Sequence, residues 1–228
     1  GISRADQDAY ALRSQDRTAA HAGRRAEDIV KVAIRPRRGE PVLVADDEHP
    51  RETTLEKLGR LPTPFAAPGT VTPGNASGVN DGAAVLIVAS EEAVALHGLT
   101  PLARVTAAAS AGVPPRIMGI GPVAAVERLT ERTGLTIADF DRIELNEAFA
   151  AQVLACTRAW GLRDDAAHLN PEGGAIALGH PLGMSGARIA HLAARAVGRG
   201  EARRALATLC VGVGQGVALA LEALPREV

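Results

Sequence analysis

The spacing of apolar positions changes several times along the chain, and each change marks an element. Ser3 followed three positions later by Asp6 resembles a capping box and opens a mostly polar helix through about Ala22. "DIVKVAI" and "PVLVAD" read as a short strand pair around the basic turn "RPRRG". From Pro62 to Gly82 there is neither a helical nor a strand period, and the density of proline and glycine predicts a long loop. "AAVLIVAS" (83–90) is apolar at both alternating sets of positions, the pattern of a strand buried in a sheet with helices above and below. "EEAVALHG" follows as a short helix.

From Leu102 onward strands and helices alternate. The pattern predicts a strand "LARVTAAAS", a helix from Pro122 to about Thr133, a strand "RIEL" and a helix from Glu147 to about Trp160. A loop "NPEGGAIALGHPLG" leads to a helix from about Met184 to Val197, then to strands "RALATLC" and "VALALEAL", read as antiparallel neighbours across a glycine turn. Strands separated by helices of this length indicate an α/β layered fold.

With 228 residues, 46% of them hydrophobic, the chain is long enough for one large or two small globular domains. Its 25 basic and 26 acidic residues nearly cancel, so charge offers no attraction to nucleic acid or an anionic membrane. Two cysteines, Cys156 and Cys210, cannot form a disulfide framework, and no apolar run approaches the roughly 18–20 residues of a membrane span. A cytoplasmic, reducing setting is expected, and the N-terminal stretch has no basic n-region or apolar h-region of a secretory signal.

Three polar constellations follow strands, where α/β sheets place ligands. Asn146 ends the strand "RIEL" just before a helix, a position that taken alone reads as a helix cap. His180 stands among glycines 173, 174, 179, 183 and 186, which permit tight wrapping of a ligand, with Ser185 as a plausible N-cap of the next helix. Cys210 ends an apolar strand before a turn with glycines at 212, 214 and 216; its thiol could be a nucleophile, a general base or inert packing, and the turn's N–H groups could form an oxyanion hole. Cys156, within "AAQVLACTRAW", reads as a buried, inert thiol. Cys, His and Asn together suggest thiol chemistry on an acyl group, with transfer to a thiol or to water both open. A Walker pattern is absent.

"GNASGVNDGAA" (74–84), "MGIGP" (118–122), "NEAFAAQ" (146–152), "GGAIALGHPLGMSGARI" (173–189) and "CVGVGQG" (210–216) together resemble the thiolases in order and spacing, and "ISRADQDAYALRSQ" extends the resemblance to the start of the chain. The resemblance implies Claisen-type chemistry on coenzyme A thioesters, usually thiolytic cleavage of a 3-oxoacyl-CoA. It implies coenzyme A as co-substrate, no permanently bound cofactor, no metal, and a homodimer or homotetramer. By the same resemblance Cys210 is the acid/base cysteine, His180 activates a nucleophile and helps hold the thioester oxygen, and Asn146 fixes a water in that oxyanion hole. Gly212 supplies an N–H to the other hole. Ser77, Met118 and Phe149 match positions lining the pantetheine channel, and Arg51 matches one near the nucleotide end of coenzyme A. Val213 and Gln215 resemble the subgroup acting on 3-oxoadipyl-CoA. Glu172 stands where asparagine is common and adds a charge beside the catalytic loop.

A thiolase also carries a nucleophilic cysteine in a C-x-S-G-type motif, which nothing in these residues matches. The resemblance therefore implies a thiolase-like layered fold, helices on mixed sheets, with the N-terminal core half absent. Residues 1–78 correspond to the remainder of a loop domain, 79–101 to the closing strand and helix of the first core domain, and 102–228 to the second core domain. Two roles follow: an acyltransferase inactive without a separate source of the nucleophile, or a non-catalytic coenzyme A-binding or assembly remnant. In either case the apolar strand 83–90, lacking its sheet, is expected to promote association.

Overall fold

The structure, a computed structural model, describes residues 1–224. The last four residues of the expected second core domain lie outside the described ones. Helices α1 (Arg4–Ala20) and α2 (Ala22–Ala26) come first, and the reciprocal Ser3–Asp6 capping box forms as predicted. Strands β1 (Val32–Ile34) and β2 (Val42–Val44) form the expected pair, antiparallel, and are followed by helix α3 (Leu55–Gly59). The stretch 62–82 contains no helix or strand. It is nevertheless anchored: Asn75 donates to Asp8 Oδ1 of α1 (2.9 Å), and its own Oδ1 accepts from the Thr72 N–H (2.8 Å).

The expected buried strand at 83–90 is absent. These residues carry no regular structure, and Val85, Ile87 and Val88 are 89%, 85% and 82% exposed. An apolar strand is stable in a sheet only when neighbours take its backbone hydrogen bonds and cover both faces, and no other described strand runs beside it. Helix α4 (Glu91–His97) does form, started by Ser90 accepting from the Ala93 N–H and stopped by Gly98 in the left-handed region.

The core is built on one mixed sheet. Strands β3 (Arg104–Gly112), β4 (Arg142–Leu145), β5 (Arg204–Val211) and β6 (Gln215–Glu222) lie in the order β3-β6-β5-β4. The β5–β6 pair is antiparallel, as predicted, as is β3–β6, whereas β4 runs parallel to β5. Helices α5 (Gly121–Thr133), α6 (Ala150–Ala159), α7 (Ala175–Leu178) and α8 (Ser185–Gly198) complete the layers. Residue α6 starts at is three positions later than the pattern suggested, and α7 sits inside the stretch read as loop.

Alternation along β5 explains why helices lie on both faces. Leu206 joins a core made with α1, α5 and α6, while Ala205 and Ala207 face α8 through Ile189, Ala193 and Ala196. The alanines let α8 approach closely, and the larger Leu206, Ile143 and Leu154 fill the other side. Each fully buried Leu or Ile contributes roughly 1.5–3 kcal/mol. Among the described residues no helix is long and apolar enough to cross a membrane.

Candidate active site

The parallel pair β4–β5 brings two polar positions to one edge. Leu145 stands opposite Thr208, and the next residue, Asn146, donates its N–H to the Thr208 carbonyl (3.0 Å). Asn146 and Cys210 thus both lie at the carboxyl ends of adjacent parallel strands, the place where α/β sheets bind ligands. Asn146 is fully buried and does not cap α6, whose N-cap is Phe149. Its chain is held by Asn170, which sits at φ +42°, accepts from the Leu145 N–H through Oδ1 and donates to the Leu145 carbonyl through Nδ2, both at 2.8 Å.

Helix α7 delivers His180 to the same edge. Its first turn is held by Glu147, which accepts from the Ile176 N–H (3.1 Å), the Tyr10 hydroxyl (2.8 Å) and the Ser14 hydroxyl (2.7 Å). Gly179 ends α7 at φ +89° with the Asn80 side chain where a Cβ would project, so a side chain there is excluded twice over. The His180 N–H is shared between the Gly78 carbonyl (2.9 Å) and Asn80 Oδ1 (3.2 Å). Its ring is gripped on both sides: Nδ1 lies 2.6 Å from Ser185 Oγ, and Nε2 lies 3.3 Å from Asn146 Nδ2. Burial, and after it the charge of Arg188, hold the imidazole below its ordinary pKa.

Ser185 is therefore not the N-cap it was expected to be. Met184 occupies that position, and Ser185, the first helical residue, turns its buried hydroxyl to His180 and to the Pro181 carbonyl (3.1 Å). Asn146 stands three residues ahead of the α6 cap position and so cannot serve there, whereas the Ser185 side chain is taken up by the histidine.

The remaining residues fall around this pair. Ser77 gives both its N–H and its hydroxyl to the Ala148 carbonyl (3.0 Å each), while neighbouring Ala76 bridges Phe149. The loop residues Ala76 to Gly78 thus run between Phe149 and the backbone of His180, whose N–H bonds the Gly78 carbonyl. Met118 is half-buried on a 3-10 segment (Pro115–Ile120) that adjoins β5 and β6 and whose Gly119 carbonyl accepts from Cys156 Sγ (3.5 Å). Arg51 lies further out and exposed; it reaches His49 Nε2 (3.3 Å), and His49 in turn bonds the Ala177 carbonyl of α7 (2.9 Å). Arg51 also lines a cleft of about 380 Å³ with Gln15, Asp16 and Thr53.

Both cysteines are buried, and burial raises both thiols, Cys156 to about 12. The glycines after Cys210 do not share one purpose. At Gly216 and Gly214, the latter at φ +92°, a Cβ would strike the backbone of Gly121 and of Val113, so these two permit close packing. Gly212 is exposed with open space around its missing Cβ. Glu172 adds no free charge: although burial raises its pKa, ion pairs to Arg142 (2.9 Å) and Arg195 prevail and hold it low. Sequence reasoning missed Asn80, Asn170 and Glu147, whose side-chain partners lie 23 to 160 positions away in the chain.

Comparison with known proteins is consistent along the chain. The family described as thiolase, C-terminal domain, matches residues 99–223, and that described as thiolase, N-terminal domain, matches 1–92. A beta-ketoadipyl-CoA thiolase of Pseudomonas aeruginosa is 62% identical over 97% of this chain and 56% of its own length. A 3-oxoadipyl-CoA/3-oxo-5,6-dehydrosuberyl-CoA thiolase of Escherichia coli is 59% identical over the same shares. The crystal structure of the Bacillus anthracis acetyl-CoA acetyltransferase superposes with a TM-score of 0.93 at 44% identity, covering 98% of this chain and 57% of that one. The chain thus spans little more than half the length of these relatives.

Proposed function

Because the chain belongs to the thiolase family, we propose that it supplies the acid/base half of an acyltransferase that cleaves or forms 3-oxoacyl-CoA thioesters, with 3-oxoadipyl-CoA as substrate. The observation that carries this reading is the Asn146–His180 contact of 3.3 Å at the strand edge shared with Cys210.

In thiolysis, a cysteine outside these 228 residues attacks the 3-carbonyl of the substrate, its proton passing to His180. The bond between the α-carbon and that carbonyl breaks, and the departing acetyl-CoA carbanion takes the Cys210 proton. The resulting Cys210 thiolate then takes the thiol proton of incoming coenzyme A, whose sulfur attacks the acyl-enzyme; the expelled cysteine thiolate takes its proton back from His180, which restores both cysteines. Burial suits this role, because it keeps Cys210 in the protonated form needed to donate first. Asn146 Oδ1, buried with no partner among the described residues, suits a bridging water beside His180, and the Gly212 N–H serves the second oxyanion hole. Each such donor is worth up to roughly 3–4 kcal/mol in the transition state. Ser77, Met118 and Phe149 line the pantetheine path, and Arg51 binds near the nucleotide. The working protein is a cytoplasmic homo-oligomer, with residues 1–78, 79–101 and 102–228 as its loop-domain, first-core and second-core portions.

A cysteine hydrolase with Cys210 as nucleophile fits less well, since the ring of His180 bonds Ser185 and Asn146 and not Cys210. The exposed apolar segment at 85–88 favours, as a second reading, an assembly role without turnover. Mass spectrometry after incubation with acetyl-CoA separates the roles. The chain alone should carry no acetyl group, whereas joined to a thiolase segment bearing the C-x-S-G cysteine it should release acetyl-CoA from 3-oxoadipyl-CoA and coenzyme A. Acetylated Cys210 would refute the acid/base assignment, and a joined protein that binds coenzyme A without turnover would favour the assembly role.

A further inference from the structure

We propose that Ser185 sets the tautomer of His180, keeping the ring proton on Nδ1 and the lone pair of Nε2 turned toward Asn146. The hydroxyl of Ser185 has one proton and two neighbours, His180 Nδ1 at 2.6 Å and the Pro181 carbonyl at 3.1 Å. A carbonyl can only accept. If the hydroxyl proton pointed to the ring, two oxygens would stand 3.1 Å apart with no proton between them. Donation to the carbonyl four residues back is the usual arrangement for serine at the start of a helix, and it leaves Oγ to accept from Nδ1–H.

The other side of the ring is compatible with the same tautomer. Nε2 without a proton accepts from Asn146 Nδ2, which turns Asn146 Oδ1 away from the ring as an acceptor. The Ser185 contact thereby decides an amide orientation that electron-rich and proton-bearing ends would otherwise leave ambiguous. Ser185 is fixed in turn by position: it is buried, and its own N–H also bonds the Pro181 carbonyl (3.0 Å).

The consequence for catalysis rests on the thiolase reading, although the tautomer does not. Only a ring with Nε2 unprotonated can take a thiol proton there, the Asn146 contact giving way as the thiol approaches. Once the S–H bond has broken and the N–H bond has formed, the same nitrogen becomes a donor to the thioester oxygen. Ser185 is thus a positioning residue that loads His180 in the accepting state.

Long-range ¹H–¹⁵N correlation on the histidine-labelled chain reads the tautomer directly, with His180→Asn identifying the His180 signals. At neutral pH, Nδ1 should appear protonated and Nε2 unprotonated. Ser185→Ala should shift the tautomer ratio toward Nε2–H by roughly tenfold, the value of one hydrogen bond, and Ser185→Thr should restore it. Unchanged shifts of the other five histidines would show that the fold is intact. An Nε2–H ring in the unmutated chain, or an unaltered Nδ1–H ring in Ser185→Ala, would overturn the proposal. An Nδ1–H ring in a joined protein that never turns over would instead sink the thiolase reading and leave this assignment standing.

Discussion

Burial shapes the two groups that move protons, and in opposite senses. His180, depressed by burial and then by Arg188, should titrate below its ordinary value of about 6.5, so that it is neutral at pH 7. The unfolded chain then binds the proton first on acidification. The stability held in this residue is present above the unfolded value and is lost as pH falls through the folded one. Cys210 runs the other way: its raised thiol contributes stability below the unfolded value that is lost as pH rises through the folded one. Histidine NMR titration and the pH dependence of iodoacetamide labelling should show both displacements; a Cys210 labelling midpoint at or below that of a free thiol would contradict the second. The residue types Asn, His and Cys were legible from their motifs, but Ser185 was not, because its role depends on a histidine five positions earlier being folded back onto it by Pro181.

At the scale of elements, the site is held by polar side chains that stand in for missing strand and helix partners. Asn170 plays the part of a neighbouring strand for Leu145, so Asn170→Ala should cost about 2–4 kcal/mol in urea denaturation by leaving the Leu145 N–H and carbonyl unpaired. The glycine turn offers a sharper contrast. Gly216→Ala puts a methyl into the backbone of Gly121 where β6 meets α5, and should lower stability by roughly 3 kcal/mol or more. Gly212→Ala has open space and should change the melting temperature little; equal losses would refute the division of labour among these glycines. Periodicity located the strands and most helices here to within a few residues. It could not find α7, whose four residues are too few to show a period and which is held by Glu147 from another element.

For the molecule as a whole, the decisive feature is the segment before α4. Val85, Ile87 and Val88 are exposed apolar side chains with no sheet over them, and they should drive self-association. Replacing Val85 and Ile87 by lysine should shift sedimentation toward smaller species with little change in unfolding midpoint, since neither residue is packed; unaltered sedimentation would place the association surface elsewhere. The layered α/β class, the antiparallel β5–β6 hairpin and the family motifs could all be read in the chain, because each depends on local spacing of residue types. Spacing also marked 83–90 as a buried strand, yet a strand exists only where neighbours take its hydrogen bonds, and the described residues hold none beside it. Tertiary structure alone settled three things: the parallel β4–β5 pairing, the capture of Asn146 and Ser185 by His180, and the neutralisation of Glu172 by Arg142 and Arg195. Each joins groups through space, and hydrogen bonds and ion pairs act over a few ångströms whatever the distance along the chain.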